Sequence, residues 1–361
     1  MTSPTDGRLS RRSLFTLTGG AVLAAGVAGA GPVQAAPAPG PAGPATVPAT
    51  GMHVVTLGTA AGPAVRGPRA GIATAVVVDG DVYLVDCGLG VTRQVKNAGL
   101  TMDRLRGIFL THLHSDHTSE LPALLLYNWG PAVSGITQPL PIIGPGQARL
   151  PRGAAVHVQP ATGGTRRLVA DLLSSYAYDV NIRVFDEDRP PLEDLLLARE
   201  IDLPRGVHAD PDRHPCPPME PFEVYRDEHV RVLATLVDHP PVFPAFAFRF
   251  ESAHGAVVLS GDTTEHPNTV RLAQDADVLV HEAIDLDYYL AQDLPEAYVQ
   301  HLADSHTDLE GAGRVAAQAG VGALVLSHLG GIFTDADADR ARAVFARTTV
   351  ADDGQVFSVA G

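Results

Sequence analysis

The sequence predicts an α/β fold, a four-layer αβ/βα sandwich with its functional site along one edge of the sheets. Three observations predict it. Apolar, strand-type runs come in two sets, one before about residue 145 and one after residue 230, with helix-type segments interleaved. The first set opens with adjacent strands and then alternates strand with helix, and the second set restores that alternation. Histidine and aspartate stand directly after several of the apolar runs, where loops from strand ends converge.

The elements follow in order. Residues 53–57 read as a strand stopped by Gly58. Residues 73–79 and 82–85 read as a hairpin around Asp79-Gly80-Asp81. Residues 91–98 read as a helix capped by Gly99, 107–111 as a strand, 119–128 as a helix, and 140–143 as a short strand ended by Gly144-Pro145-Gly146. The segment around 146–225 is less regular. It holds a helical pattern over 166–178 and a proline-rich stretch over 204–221, and reads either as an inserted, substrate-facing cap or as a tolerated surface insertion. Strand patterns resume at 230–237, 245–250, 256–259 and 278–280. A helix over 308–319, a strand over 323–326 and a helix over 336–348 complete the pattern.

The first fifty residues read as something other than fold. Ser10-Arg11-Arg12-Ser13-Leu14-Phe15 precedes an uncharged, Gly/Ala-rich stretch, the pattern of a twin-arginine export signal over 1–36, with cleavage after Ala35 or Ala30. That stretch is too weakly apolar for a stable membrane span. Residues 37–50 are a Pro/Ala/Gly linker, and 51–361 form the main domain. The expected location is therefore secreted or extracytoplasmic.

Composition narrows the partners. With 41 acidic and 26 basic residues the net charge is −15, which is not the basic footprint of a nucleic-acid binder. Anionic substrates remain accessible if bound cations supply local positive charge. Two cysteines, Cys87 and Cys216, make no disulfide framework and are not expected to pair.

The chemistry is concentrated in His112-Leu113-His114-Ser115-Asp116-His117, directly after the strand over 107–111. His112 and His114, two apart, can face one ion, and Asp116 and His117 can reach a second as the chain turns. Imidazole nitrogen and carboxylate oxygen suit zinc at roughly 2.0–2.2 Å. Two ions need more ligands, and later strand ends supply His239, Asp262 and His328. The consistent set has His112, His114 and His239 on one ion, Asp116, His117 and His328 on the other, and Asp262 bridging. The bland alternative, a polar loop with chance histidines, does not account for the full string at a strand end.

With these residues in hand the chain resembles the metallo-β-lactamase superfamily, close to its ribonuclease Z and exported-arylsulfatase branch. The matching segments are Leu57-Gly58-Thr59, Asp86-Cys87-Gly88, Thr111 to His117, Asp238-His239, Ser260-Gly261-Asp262-Thr263, His281-Glu282-Ala283, Ser305-His306-Thr307 and Leu326-Ser327-His328. The resemblance implies the metallo-β-lactamase fold and two zinc ions, with manganese or iron(II) as substitutes. It implies a secreted hydrolase of phosphodiesters or sulfate esters, working by metal-bound hydroxide. His306 is the general acid by resemblance. Glu282 orients it, and Asp116 both binds metal and hydrogen-bonds the nucleophile. Asp86 reads as a supporting residue, and the remaining histidines as structural or surface, His281 being the borderline case.

A bridging Asp262 with no cysteine nearby argues against an antibiotic-degrading enzyme. A lactonase or β-lactamase-type hydrolase is nevertheless the alternative on the same fold, and a non-catalytic metal-binding module a further one. The long tRNA-binding arm of bacterial ribonuclease Z has no room here, because residues 250–261 read as one hairpin. The expected substrate is a small anionic ester and not tRNA, and a homodimer is an allowed assembly.

The export reading is tested by changing Arg11 and Arg12 together to lysine in a reporter fusion. Export should fall sharply, and undiminished export would rule the twin-arginine route out.

Overall fold

Apolar side chains alternate to both faces of the central strands, and this makes the molecule four layers deep. The computed structural model describes residues 47–65, 67–332 and 334–359. Along Met52–Gly58 the side chains of Met52 and Val54 join one core cluster and those of Val55 and Leu57 another, all fully buried. A strand buried on both faces needs a layer on each side of it.

Fourteen strands are present among the described residues. They are β1 (Met52–Gly58), β2 (Ala73–Val78), β3 (Asp81–Val85), β4 (Leu105–Phe109), β5 (Leu140–Pro145), β6 (Leu196–Ile201), β7 (Phe222–Arg226), β8 (Arg231–Leu236), β9 (Phe246–Ser252), β10 (Gly255–Leu259), β11 (Val278–Ile284), β12 (Ala323–Gly330), β13 (Thr348–Val350) and β14 (Gln355–Ser358). One sheet has the order β14-β1-β2-β3-β4-β5-β6 and the other β13-β12-β11-β10-β9-β8-β7. Strands β3 to β6 are mutually parallel, as are β10 to β13. β8 runs with β10, because both are antiparallel to the β9 between them. The carboxyl ends of these strands gather at one edge, where the backbone N–H of Phe246 donates to the Thr111 carbonyl across the two sheets (2.9 Å).

The sheets meet over an aromatic centre. The fully buried Phe109 packs on Phe250, Phe248 and Tyr225 at ring-centroid separations of 5.1, 5.6 and 5.6 Å. The outer faces are covered by helices. Val91–Asn97, Leu121–Tyr127 and Gly164–Ser175 lie on the first sheet, and Pro267–Ala273, Leu309–Ala319 and Asp339–Val344 on the second. Asp308 caps Leu309–Ala319 by accepting from the N–H of Gly311.

The expected sandwich is the observed one, with local differences. The 146–225 segment is partly integral to the sheets, since it supplies the edge strands β6 and β7, which the sequence reading does not contain. Their sequences, Leu-Leu-Ala-Arg-Glu-Ile and Phe-Glu-Val-Tyr-Arg, mix charged with apolar residues as solvent-facing edges do. The helix expected over 166–178 is two helices, Gly164–Ser175 and Ala177–Asp186. The helix expected over 336–348 is a 3₁₀ turn, Asp335–Ala338, followed by the short helix Asp339–Val344 and then β13. The strand expected to end at Thr111 ends at Phe109, so the histidine string begins in a turn. Both cysteines are free and buried. The export signal expected over 1–36, and the linker up to residue 46, lie outside the described residues. No helix among the described residues is long and apolar enough to cross a membrane.

Phe109 fills the centre of the inter-sheet core. Phe109→Ala should lower unfolding free energy by about 3–5 kcal/mol in urea titrations. A loss under about 1 kcal/mol would show that this contact does not hold the sheets together.

Candidate metal centre

Each candidate donor is delivered by a strand end or by the element that follows one. His112 comes three residues after β4, and His114 opens the one-turn helix Ser115–Thr118 that carries Asp116 and His117. His239 follows β8 and Asp262 follows β10 by three residues each. His328 departs from expectation. β12 does not stop before it but runs on to Gly330. His328 is the extra residue of a bulge, between Ser327 opposite Glu282 and Leu329 opposite Ala283. Its φ of +52° is the left-handed conformation that turns the ring out of the ladder.

The seven donors come together. One ligating atom each from His112, His114, His239 and Asp262 lies within 4.8 Å of the others, and so do those of Asp116, His117 and His328. Asp262 joins the two groups. Its Oδ2 is 3.3 Å from Nε2 of both His117 and His328, and 3.9 Å from Nε2 of both His112 and His239. Asp116 Oδ2 lies 3.4 Å from His328 Nε2 and 3.6 Å from His117 Nε2.

The rings are held from behind. His117 Nδ1–H donates to Asp86 Oδ2 (2.8 Å), and the same carboxylate accepts from the Thr111 hydroxyl and backbone N–H, both at 2.8 Å. Asp86 has a φ of +62°, which the short polar side chain tolerates. His239 Nδ1–H donates to the Ser305 carbonyl (2.9 Å), and the Ser305 hydroxyl donates to the Pro240 carbonyl. In each case the other ring nitrogen, Nε2, is left facing the cluster.

Burial sets the protonation of these rings. It pushes His112 and His114 down, and His239 down to about 3, so these imidazoles are neutral, with lone pairs free to bind a cation. His117 is also buried, but Asp262 and Asp86 on either side outweigh that and hold it toward the charged form. Burial likewise opposes ionisation of Asp116 and Asp262, and the His328 and His117 rings outweigh it, so both carboxyls sit below the ordinary range.

The donor set fits a metal. Nε2 of His112, Nε2 of His117 and Oδ1 of Asp262 are buried without a hydrogen-bond partner in the protein. Three donor rings, His112, His114 and His239, stay neutral beside the Asp116 and Asp262 carboxylates, whose negative charge a cation would offset. The geometry therefore suits divalent cations bound through nitrogen and oxygen.

His306 and Glu282 stand beside this cluster. His306 ends the helix Glu296–Ser305, and its ring stacks on His328 at 5.8 Å. Its Nδ1–H donates to Glu282 Oε2 and Oε1 at 2.9 and 3.0 Å. Glu282 is fixed within β11 by the Thr263 N–H, which donates to Oε1 at 2.6 Å. Burial alone would discharge His306, but the Glu282 carboxylate outweighs it and pushes the ring up to about 9.

His281 stays out of the cluster; its Nδ1–H donates to the Glu282 carbonyl (2.7 Å). His301, read from sequence as structural or surface, lies nearer the centre, 6.0 Å from the His306 ring and 6.4 Å from that of His239. The backing roles of Thr111 and Ser305 are absent from the sequence reading. Their signal is adjacency, since each directly precedes a histidine of the site.

Comparison with known proteins gives a consistent result. The family model of the Metallo-beta-lactamase superfamily matches residues 66–328. The chain is 34% identical to "Ribonuclease Z" of Mycolicibacterium paratuberculosis over 278 residues, 77% of this chain and 85% of that protein. Among solved structures it is similar to human tRNase Z, short form, with a TM-score of 0.57 and 22% identity over 85% of this chain and 99% of that one. It is also similar to a diphosphatase from the PhnP family, with a TM-score of 0.52 and 13% identity over 85% and 97% of the two chains. At these identities the two structures speak to the fold.

Asp86 touches His117 and would touch no ion, so its removal tests the backing shell. Asp86→Ala should weaken binding of the second metal ion by about 10–100-fold in competition titrations with a zinc chelator. Unchanged affinity would show that Thr111 and packing suffice to orient His117.

Proposed function

The chain belongs to the metallo-β-lactamase superfamily, and we propose that it is a dizinc phosphodiesterase acting on small anionic esters outside the cytoplasm. The observation that carries this reading is the His306–Glu282 pair beside the donor cluster. Hydrolysis of a phosphodiester with an alkoxide leaving group needs a proton delivered to that oxygen. A lactonase or β-lactamase-type reaction has less use for a strong acid at this position.

In this reading His112, His114 and His239 would hold one ion and Asp116, His117 and His328 the other, with Asp262 shared between the two groups. Manganese or iron(II) would fit the same donors. Bound there, the ions would supply a water nucleophile at neutral pH and positive charge to offset that of the phosphoryl group. Asp116 accepts a hydrogen bond from the attacking water and fixes its approach. His306 gives its Nε2 proton to the departing oxygen. Glu282 holds Nδ1–H, fixes the ring, and keeps it protonated against the nearby cations.

The superfamily is one of hydrolases, and the relatives' name, ribonuclease Z, supports phosphodiester chemistry. Two features favour a small ester over tRNA. β9 and β10 close through Ala253-His254 with Ser252 opposite Gly255, leaving no arm there, and the net charge is −15. The location rests on the Arg11-Arg12 pattern.

The test uses phosphodiesters with good and poor leaving groups on the zinc-loaded protein. His306→Ala should lose about 10²–10⁴-fold on an alkyl leaving group and little on 4-nitrophenolate, with zinc retained. Loss of activity as pH rises reports loss of the His306 proton, so Glu282→Gln should move that alkaline limb to lower pH. Equal losses on both esters would reassign His306 to positioning. Cleavage of precursor tRNA in preference to every small diester would overturn the substrate class.

A further inference from the structure

A cavity of about 630 Å³ opens beside His114 and lies outside the donor cluster. Its walls come from residues adjoining two of the donors and from the 146–225 segment. Leu113 lies between His112 and His114. The turn after His239, closed by the Val242 N–H donating to the His239 carbonyl (2.8 Å), carries Val242, Phe243 and Pro244 into the wall. Leu150 and Pro151 face them from the loop after β5. The side chain of Arg149, also in the lining, is paired with Asp212 at 2.5 Å and Asp210 at 3.4 Å, so its charge is already compensated.

On this basis we infer that the cavity is a subsite for a bulky apolar arm, aryl or branched alkyl, of the phosphodiester. This rests on the phosphodiesterase reading. The volume is that of a drug-sized ligand, and the walls are chiefly apolar with one donor of the cluster, His114, in the lining. The arm in question is the one retained on phosphorus. The cavity is lined by His114, whereas the acid His306 is reached only through the rings beyond it, His114 to His239 at 5.2 Å and His239 to His306 at 5.0 Å. Water adds its oxygen to phosphorus and releases one proton to the medium, the opposite P–O bond breaks, the departing oxygen takes a proton from His306, and that ring regains a proton from the medium. A phosphomonoester of the apolar arm is left in the cavity.

The experiment keeps the leaving group constant. 4-Nitrophenyl phosphodiesters carrying methyl, phenyl or 1-naphthyl as second arm are assayed on the zinc-loaded protein. kcat/KM should rise in that order, by about tenfold or more from methyl to naphthyl. The naphthyl-to-methyl ratio should fall toward one in Val242→Asp and in Leu150→Asp, two variants in lining segments far apart in the chain, each checked for zinc content and melting temperature. A wild-type ratio near one, with all three esters hydrolysed, overturns the subsite and leaves the phosphodiesterase reading standing. If none is hydrolysed, that reading fails. Calorimetry with 1-naphthyl phosphate against methyl phosphate then judges the cavity alone. Equal affinities reject it, and tighter naphthyl binding lost in both variants supports it.

Discussion

Asp262 is the side chain on which the rest of the centre depends. It is buried, and its Oδ2 faces imidazole nitrogens from both sheets: His112 and His117 after β4, His239 after β8, His328 from β12. A carboxylate in that position is costly unless positive charge surrounds it. Without cations, the charge available is protonation of rings such as His117, whose burial opposes it. Divalent cations remove the conflict, because they neutralise the carboxylates and use the neutral rings as ligands. The donor set would therefore be self-consistent with metal bound. The sheets behind it, clamped by the Phe109 cluster, supply the stability that lets such a site persist.

Precision at the centre comes from groups that touch no substrate. Asp86 accepts three hydrogen bonds, from Thr111 twice and from His117, and so fixes a ring by way of the backbone of its own loop. The stretch from Ser305 to Asp308 works the same way. The Ser305 carbonyl orients His239, His306 meets Glu282, the Thr307 hydroxyl donates to the Thr263 carbonyl, and Asp308 caps the following helix. Four consecutive residues thus tie His306 to one donor loop, to the turn carrying Asp262 and to a rigid helix. A displacement of His306 would have to move all of these, which is the preorganisation that proton transfer needs.

The donors were legible in the sequence because two independent signals coincide at each of them: a ligating residue type and the end of an apolar run. The fold was legible because buried strands such as Val-Leu-Val and Ala-Leu-Val-Leu stand out against their surroundings. What escaped has a physical reason. β6 and β7 are edge strands, so half their side chains face solvent and their pattern looks like loop. The helix Glu296–Ser305 buries only Leu302 and Ser305, too narrow a face for periodicity to reveal. His328 was read at a strand terminus, and its position in a bulge depends on pairing with β11, which no local pattern encodes.

The position of the chain's extra length bears on what the site can accept. β9 and β10 are joined as tightly as a hairpin allows at the edge away from Asp262, and only residues 237–245 link β8 to β9 at the edge that carries the donors. The long excursion lies instead between β5 and β8, next to the first donor group. It begins at the carboxyl end of β5, at the same sheet edge as the histidine string, and it rejoins the sandwich through β6 and β7. Being anchored by a strand in each sheet, it is a wall of the active edge and not a free appendage. A reaction centre fixed by two sheets can keep its chemistry while such a wall selects the ligand, since the wall contributes none of the seven donors. The donor cluster is thus separable, residue by residue, from the wall that the proposed subsite draws on.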